Sequence, residues 1–305
     1  MDKDLEIIFR DMEAEGLIGK GRTRRDEKNM NHLKFIKPYV EEVYFDKLSS
    51  KFILKNSGVP HGIASVASSK MYKSAEIQTP PVHLLKPSER LNAKTIQEDV
   101  NGINGLETVL AGDDVEFTKI GWNHFGKYKW QIFYDVNFEL GLLKIMTSDC
   151  LEQLKNMFLA DEIRTDIDRH SKNYFFYKRK GSEKYEGVIV IDLDQMVIFN
   201  YCHGKRDDFN DFLLYPYESE TPQLKLDNVC YMQRVRDIRE LIQEGVMSKN
   251  NIETLKKLLR YDFPGEIKKT CRQQGLYGKA KNSIVTPVEM LWEYNNKTIG
   301  KELGL

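Results

Sequence analysis

Apolar residues recur at helical spacing in several separate stretches of the chain. "LEIIFRDMEAEG" (5–16) predicts a short helix closed by Gly16. "IASVASSKMYKSAEI" (63–77) sets Ile63, Val66, Ala67, Met71 and Ala75 loosely on one side of a second helix. The strongest stripe is in "SDCLEQLKNMFLADEI" (148–163), where Leu151, Leu154, Met157, Phe158 and Ile163 share a face and Ser148 is the expected N-cap. Past about residue 225 the chain turns helical, with "YMQRVRDIRELIQEG" stopping at Gly245 and "SKNNIETLKKLLRYDF" repeating the pattern. Thr286-Pro287-Val288-Glu289 reads as a capping box with proline at the first helical position, which predicts a helix over about 287–300.

Alternating or short apolar runs predict strands between these helices. They are "KFILK" (51–55), the end of "TPPVHLL" (79–85), "GKYKWQIFYDV" (126–136), "NYFFYKR" (173–179) and "VIVIDLDQMVIFN" (188–200). The last two, joined by the turn "KGSEKYEG" (180–187), form an expected hairpin with Asp192 and Asp194 on one strand face. "NSGVPHG" (56–62) is a turn, so the early order is strand, Gly-containing loop, helix, strand. The plan is α+β: a small mixed region first and a mainly helical region last.

Composition narrows the function only by exclusion. The chain of 305 residues is 41% hydrophobic, long enough for one two-lobed domain or two smaller ones. Its 46 basic and 46 acidic residues cancel, so no global field draws it to nucleic acid or an anionic membrane. The local cluster Lys20, Arg22, Arg24 and Arg25 reads as a solvated connector, diluted by Asp26 and Glu27; a phosphate or nucleic-acid contact is the competing reading. Cys150, Cys202, Cys230 and Cys271 are far apart, and they read as reduced thiols of a cytoplasmic protein. No signal-peptide pattern opens the chain and no apolar run is long enough to span a membrane. His61, His83, His124 and His203 have no metal-ligand spacing.

One stretch stands apart. "TDIDRHSKNYFF" (165–176) places Asp166, Asp168, Arg169, His170 and Asn173 directly before a run of aromatics. Phosphoryl transfer needs a carboxylate to orient and deprotonate a hydroxyl, ligands for magnesium, and a cation on the nucleotide phosphates. Asp168 and Asn173 have the D-x-x-x-x-N spacing of such a loop, Asp192 and Asp194 lie on the next hairpin, and Lys55 ends an N-terminal strand. Ser57 and Gly58 offer backbone N–H groups to phosphate, or simply form a β–α turn. The plainer reading makes Asp168 and Arg169 a surface ion pair, His170 a packing residue and the two aspartates a solvated strand face. The string D-R-H-x-x-N tips the balance, since composition alone yields it on the order of once in a thousand chains.

"DEIRTDIDRHSKNYFF" followed by "VIVIDLDQM" resembles the catalytic core of the HipA-like serine/threonine kinases, which share their core with phosphatidylinositol kinases. The resemblance covers the plan of roughly residues 50–200 and is specific at 165–173 and 188–196. It implies a two-lobed protein-kinase-like fold, with an N-lobe over 1–92 and a C-lobe over 93–305. It implies an ATP- and Mg2+-dependent transfer of the γ-phosphate to a hydroxyl, by analogy that of a protein serine or threonine. Asp168 would be the base, with Arg169 and His170 beside it in the catalytic loop. Asn173 and either Asp192 or Asp194 would hold the metal, with Asp192 favoured by its I-D-L context; Lys55, Ser57 and Gly58 would meet the nucleotide. An antitoxin-like or other protein partner is a further implication, and delivery into another cell is compatible with it. The chain departs from the pattern in three places: Asp166 replaces an asparagine, no glycine follows the metal aspartate, and the helix after Lys55 has Ala64 and Ser65 where an acid would pair with the lysine. A kinase-fold protein that binds a nucleotide and a partner without turnover is the alternative these departures favour.

Overall fold

The computed structural model describes residues 39–45, 50–84, 92–98, 100–110, 125–166, 169, 173–202, 205–215 and 230–305. The expected helix over 5–16, the basic cluster at 20–25, Asp168 and His170 lie outside the described residues. Strands β1 (Tyr39–Phe45) and β2 (Ser50–Gly58) pair antiparallel, and β2 runs straight into helix α1 (Val59–Ser74). No separate glycine loop intervenes. Gly58 has the extended φ of −56°, and Pro60, free of an N–H in the first turn, starts the helix. Strands β3 (Val82–Leu84) and β4 (Asn92–Glu98) complete a four-stranded antiparallel sheet in the order β1-β2-β4-β3. This sheet runs past the boundary expected near residue 92. Helix α1 is buried nearly all round, because Gly62, Ala64, Ser65, Ala67, Ser68 and Ser69 let neighbours approach on every side. It packs against this sheet and against the C-terminal helices.

After β5 (Ile103–Asn104) and α2 (Gly105–Leu110) come α3 (Phe125–Tyr134), α4 (Val136–Ile145) and α5 (Ser148–Arg164). The expected strand over 126–136 is therefore a helix. Its aromatic content favours a strand locally. Tertiary packing overrides that: Ile132 and Phe133 are buried, and the Lys155 ammonium of α5 lies 5.8 Å from the Phe133 ring. Asp135 then caps α4, accepting from the N–H groups of Asn137 and Phe138. Helix α5 begins as expected, but its cap is Thr147, which accepts from Cys150 N–H at 3.2 Å, and not Ser148.

Strands β6 (Tyr174–Tyr177) and β7 (Gly187–Val190) form the expected hairpin and join β5 in a second sheet, ordered β5-β6-β7. The second strand ends at Val190, ten residues earlier than expected from its apolar run. The continuation bends at Asp192, whose φ is +57°. Short helices α6 (Ile198–Tyr201) and α7 (Arg206–Leu214) follow. Helices α8 (Tyr231–Gln243), α9 (Lys249–Arg260), α10 (Phe263–Gln273) and α11 (Gly278–Asn295) close the chain. Ser248 caps α9 in a reciprocal pair with Asn251. Helix α11 begins at Gly278 and holds Pro287 in its interior, so the box at 286–289 caps nothing. Stacking of Phe263 on Trp292 at 4.7 Å and burial of Val288 and Leu291 keep the helix continuous through the proline.

The core centres on α5, which touches α3, α4, α8, α9 and β7. Its last carbonyls are not left bare. The amide of Asn295 donates to Ile163 O at 3.0 Å, and Tyr231 Oη donates to Asn295 Oδ1 at 2.8 Å. The far end of the chain thus clamps the point where α5 hands over to the loop at 165–173.

Candidate active site

Helix α5 ends in a Schellman turn: Asp166 N–H donates to Asp161 O and Thr165 N–H to Glu162 O. Thr165 takes the left-handed position, φ +63°, that glycine normally fills. A β-branched residue there is strained, and such strain collects where a structure is held to a task. Asp192 is the second strained position of this region.

Beneath the loop lies a buried ionic network. Arg169, 4% exposed, donates Nε–H to Asp161 Oδ2 at 2.9 Å. Its Nη1 donates to the backbone carbonyls of Asn173 (2.6 Å) and Ile191 (2.7 Å), and its Nη2 to Asp161 Oδ1 (3.2 Å) and Asp166 Oδ2 (3.1 Å). These contacts use all of the five N–H donors that a guanidinium has. Arg164, fully buried, donates to Asp166, to Ser68 Oγ at 3.0 Å and to Leu193 O at 2.7 Å. Tyr72 Oη donates to Asp161, and its ring lies 5.5 Å from the Arg164 guanidinium. Burial opposes both arginine charges, but the Asp161 and Asp166 carboxylates hold them charged, and both pKa values are raised. Burial, then the Asp161 carboxylate, pushes the Tyr72 hydroxyl far up, so it stays a donor.

The same side chains explain why β7 stops. Beyond Val190 the backbone carbonyls find partners outside a ladder: Arg169 takes Ile191, Arg164 takes Leu193, and His61 Nδ1–H donates to Asp194 O at 2.9 Å. Ile191 N–H still donates to Asn173 O at 3.1 Å, which fixes Asn173 beside the bend. Because the chain bends, Asp192 and Asp194 do not share a flat strand face about 6.6 Å apart along the chain. Both reach Lys55.

Lys55 lies within β2, which runs three residues past the strand end expected there, and it pairs with Asp192 Oδ1 and with Asp194 Oδ2 at 3.2 Å. Ser57 Oγ also donates to Asp194 Oδ2, at 3.1 Å. Asp194 is 1% exposed, whereas the Asp192 side chain is 25% exposed. Burial lowers the Lys55 pKa, but the two carboxylates more than compensate, so it stays charged. Burial, followed by the neighbouring Asp194, raises Asp192 despite Lys55; in Asp194 the lysine overcomes burial and lowers the pKa. Among the described residues, Asp194 Oδ1 is buried without a hydrogen-bond partner. Two carboxylates against one ammonium leave a net negative charge and a bare oxygen. That donor set fits a hard divalent cation, which takes one or two carboxylates and draws its other ligands from water and phosphate. A complete cage of three or more His, Cys, Asp or Glu is absent among the described residues.

The structure therefore brings together Lys55, Ser57, Asp192, Asp194 and the backbone of Asn173. Gly58 sits at the β2–α1 junction, where a Cβ would meet His61 Cδ2 at an ordinary 3.5 Å, so glycine is not required there. Arg169 is bound into the support of the site. No acid stands in the first turn of α1, and Glu76 pairs with Lys257, away from Lys55. Sequence reading missed Arg164, Asp161, Tyr72, Ser68 and His61. Helical spacing on α1 (61, 68, 72) and on α5 (154, 158, 161, 164) is the signal that would have placed them on buried faces.

No family model and no curated protein matches the sequence. Solved structures do. CtkA, a proinflammatory kinase of Helicobacter pylori, aligns with a TM-score of 0.53 at 13% identity, over 87% of this chain and 92% of its own. HipA of Shewanella oneidensis MR-1, from a toxin–antitoxin complex with HipB and operator DNA, aligns with a TM-score of 0.49 at 12% identity, over 94% of this chain and 70% of its own. No described helix is long and apolar enough to cross a membrane. The chain has a protein-kinase-like fold, mostly helical with two small antiparallel sheets.

Proposed function

We propose that this protein is an ATP- and Mg2+-dependent kinase that transfers the γ-phosphate to a hydroxyl, that of a protein serine or threonine. The observation that carries this reading is the meeting of Lys55 with Asp192 and Asp194, 137 and 139 residues later in the chain, beside Asn173. The nucleotide lies between the β1–β4 sheet and the helical remainder, as two lobes.

Lys55 meets the nucleotide phosphates, with Ser57 and the α1 N-terminus beside it. Asp192 and Asn173 hold magnesium: Asp192 is the more exposed of the two aspartates, and its left-handed backbone aims a short carboxylate where a flat strand would not. When bound, magnesium neutralises charge that develops on the phosphoryl oxygens. Asp194 keeps Lys55 in place, doing from the 191–194 segment what a helix acid would otherwise do. Asp168 receives the proton of the attacking hydroxyl; its support is its position between Asp166 and Arg169, both buried and anchored. Arg169 positions the loop and offers no donor to a phosphate.

The test is calorimetric titration of ATP with and without Mg2+, beside phosphate transfer to a panel of protein, lipid and small-molecule acceptors. Wild type binds Mg–ATP and labels a protein hydroxyl. Asp192→Asn lowers magnesium-dependent affinity at least about tenfold, or 1.4 kcal/mol; Asp194→Asn lowers affinity with or without the metal. Binding that ignores magnesium in all three proteins, with no label transferred, overturns the proposal. Magnesium-dependent binding without turnover supports the second reading, a nucleotide-binding partner protein, which the missing helix acid favours.

A further inference from the structure

Helix α1 carries no acid in its first turn to take Lys55, so another contact must set its position against the segment bearing the two aspartates. Arg164 supplies that contact. One nitrogen of Arg164, Nη1, donates to Ser68 Oγ of α1 at 3.0 Å and to Leu193 O at 2.7 Å. The next carbonyl, that of Asp194, accepts from His61 of α1 at 2.9 Å. His61 and Ser68 are seven residues, two helical turns, apart, and Tyr72 follows one turn later on the same face. Tyr72 donates to Asp161 and lies under the Arg164 guanidinium. One face of α1 therefore grips the segment between the two aspartates and the end of α5 together.

We propose that Arg164 is a positioning residue, a buried latch through which the place of helix α1 sets the Asp192–Asp194 segment. Its consequence for metal and nucleotide rests on the kinase reading above; the latch itself rests on geometry alone. Full burial lets no water substitute for these bonds. The planar fork matters because two directions from one nitrogen, plus a third donor to Asp166, are needed at once; a lysine supplies a point charge on a flexible stem. Ser68 is the one α1 residue whose hydroxyl receives this cation. Ser69, its neighbour, turns its hydroxyl to Pro80 O at 3.0 Å and serves as the control.

Hydrogen exchange of the full chain, read by mass spectrometry, tests the latch without requiring activity. Ser68→Ala and Arg164→Lys speed exchange in peptides spanning 191–197 by about three- to tenfold, the loss of one net hydrogen bond, while α9 and α10 are unchanged. Ser69→Ala leaves 191–197 as in wild type. The same two variants raise the magnesium–ATP dissociation constant in parallel. If Arg164→Lys fails to fold, Ser68→Ala, which removes a single oxygen, decides alone. Unchanged exchange at 191–197, or a speed-up spread evenly over the chain, overturns the proposal. Local exchange as expected, in a protein that binds no Mg–ATP at all, leaves the latch standing and removes the kinase reading.

Discussion

Replacing Asp166 with Asn removes one negative charge from a site that water does not reach. Among the described residues, the buried set comprises Asp161 and Asp166 against Arg164 and Arg169, two charges of each sign. In the variant, two guanidinium groups share one carboxylate, and a net positive charge is left inside. Removing one member of a buried ion pair costs about 3–5 kcal/mol. Arg164→Met breaks the balance the other way and costs about the same by that rule, since it also strips a donor from Leu193 O and Ser68 Oγ. Were the two sites independent, the double variant would lose about 6–10 kcal/mol, most or all of the 5–15 kcal/mol that typically holds a protein folded. They are not independent: Asp166→Asn with Arg164→Met restores one charge of each sign. The double variant is therefore expected to lose about 3–5 kcal/mol in total, a coupling of at least about 3 kcal/mol. Urea unfolding followed by tryptophan fluorescence and circular dichroism, at constant slope, measures all four corners of the cycle. Additive losses, or an Asp166→Asn variant within about 1 kcal/mol of wild type, would show that the charges are hydrated or already neutral in the folded chain and refute the reasoning.

Two further expectations follow from packing. A Cβ on Gly102 would lie 2.7 Å from Phe176 O and 2.8 Å from Phe175 Cβ, so Gly102→Ala must shift backbone of the β5–β6 pair; thermal unfolding should register a loss of about 1–3 kcal/mol, and an unchanged midpoint counts against the close approach. Burial pushes the thiols of Cys150 and Cys202 up to about 12 and that of Cys271 up to about 11, while Cys230 is half-exposed. Since the thiolate is the nucleophile, alkylation of the native protein at pH 8 should label Cys230 quickly and the other three only in denaturant; two or more fast thiols refute this.

Hydrophobic spacing made α8 and α9 legible because each buries one stripe and leaves the other face to solvent, and it found α5 too, although every residue from Leu154 to Arg164 is buried there. Lys55, Asp192 and Asp194 were legible as a set from residue types, and the fold brings them together across more than 130 residues. What supports them was not. The stripe of α5 runs Leu151, Leu154, Phe158 and then, at the same helical steps, Asp161 and Arg164, both fully buried. A charge at a stripe position ordinarily marks where the buried face ends. Here the face continues, and the charges are admitted because each meets its opposite within hydrogen-bond reach. That condition depends on Tyr72 and Ser68, some ninety residues upstream, which no local window contains. The bend at Asp192 fails to show for the same reason: "VIVIDLDQMVIF" has the composition of a strand, and only side chains from α1, α5 and the 165–173 loop, arriving at the carbonyls of Ile191, Leu193 and Asp194, make leaving the ladder favourable. The end of α5, where charges continue a buried face, and the end of β7, where a strand-like run leaves the ladder, carry the strained residues Thr165 and Asp192. Strain of this kind persists only where surrounding contacts over-determine the backbone, and the arginine network supplies those contacts at both places.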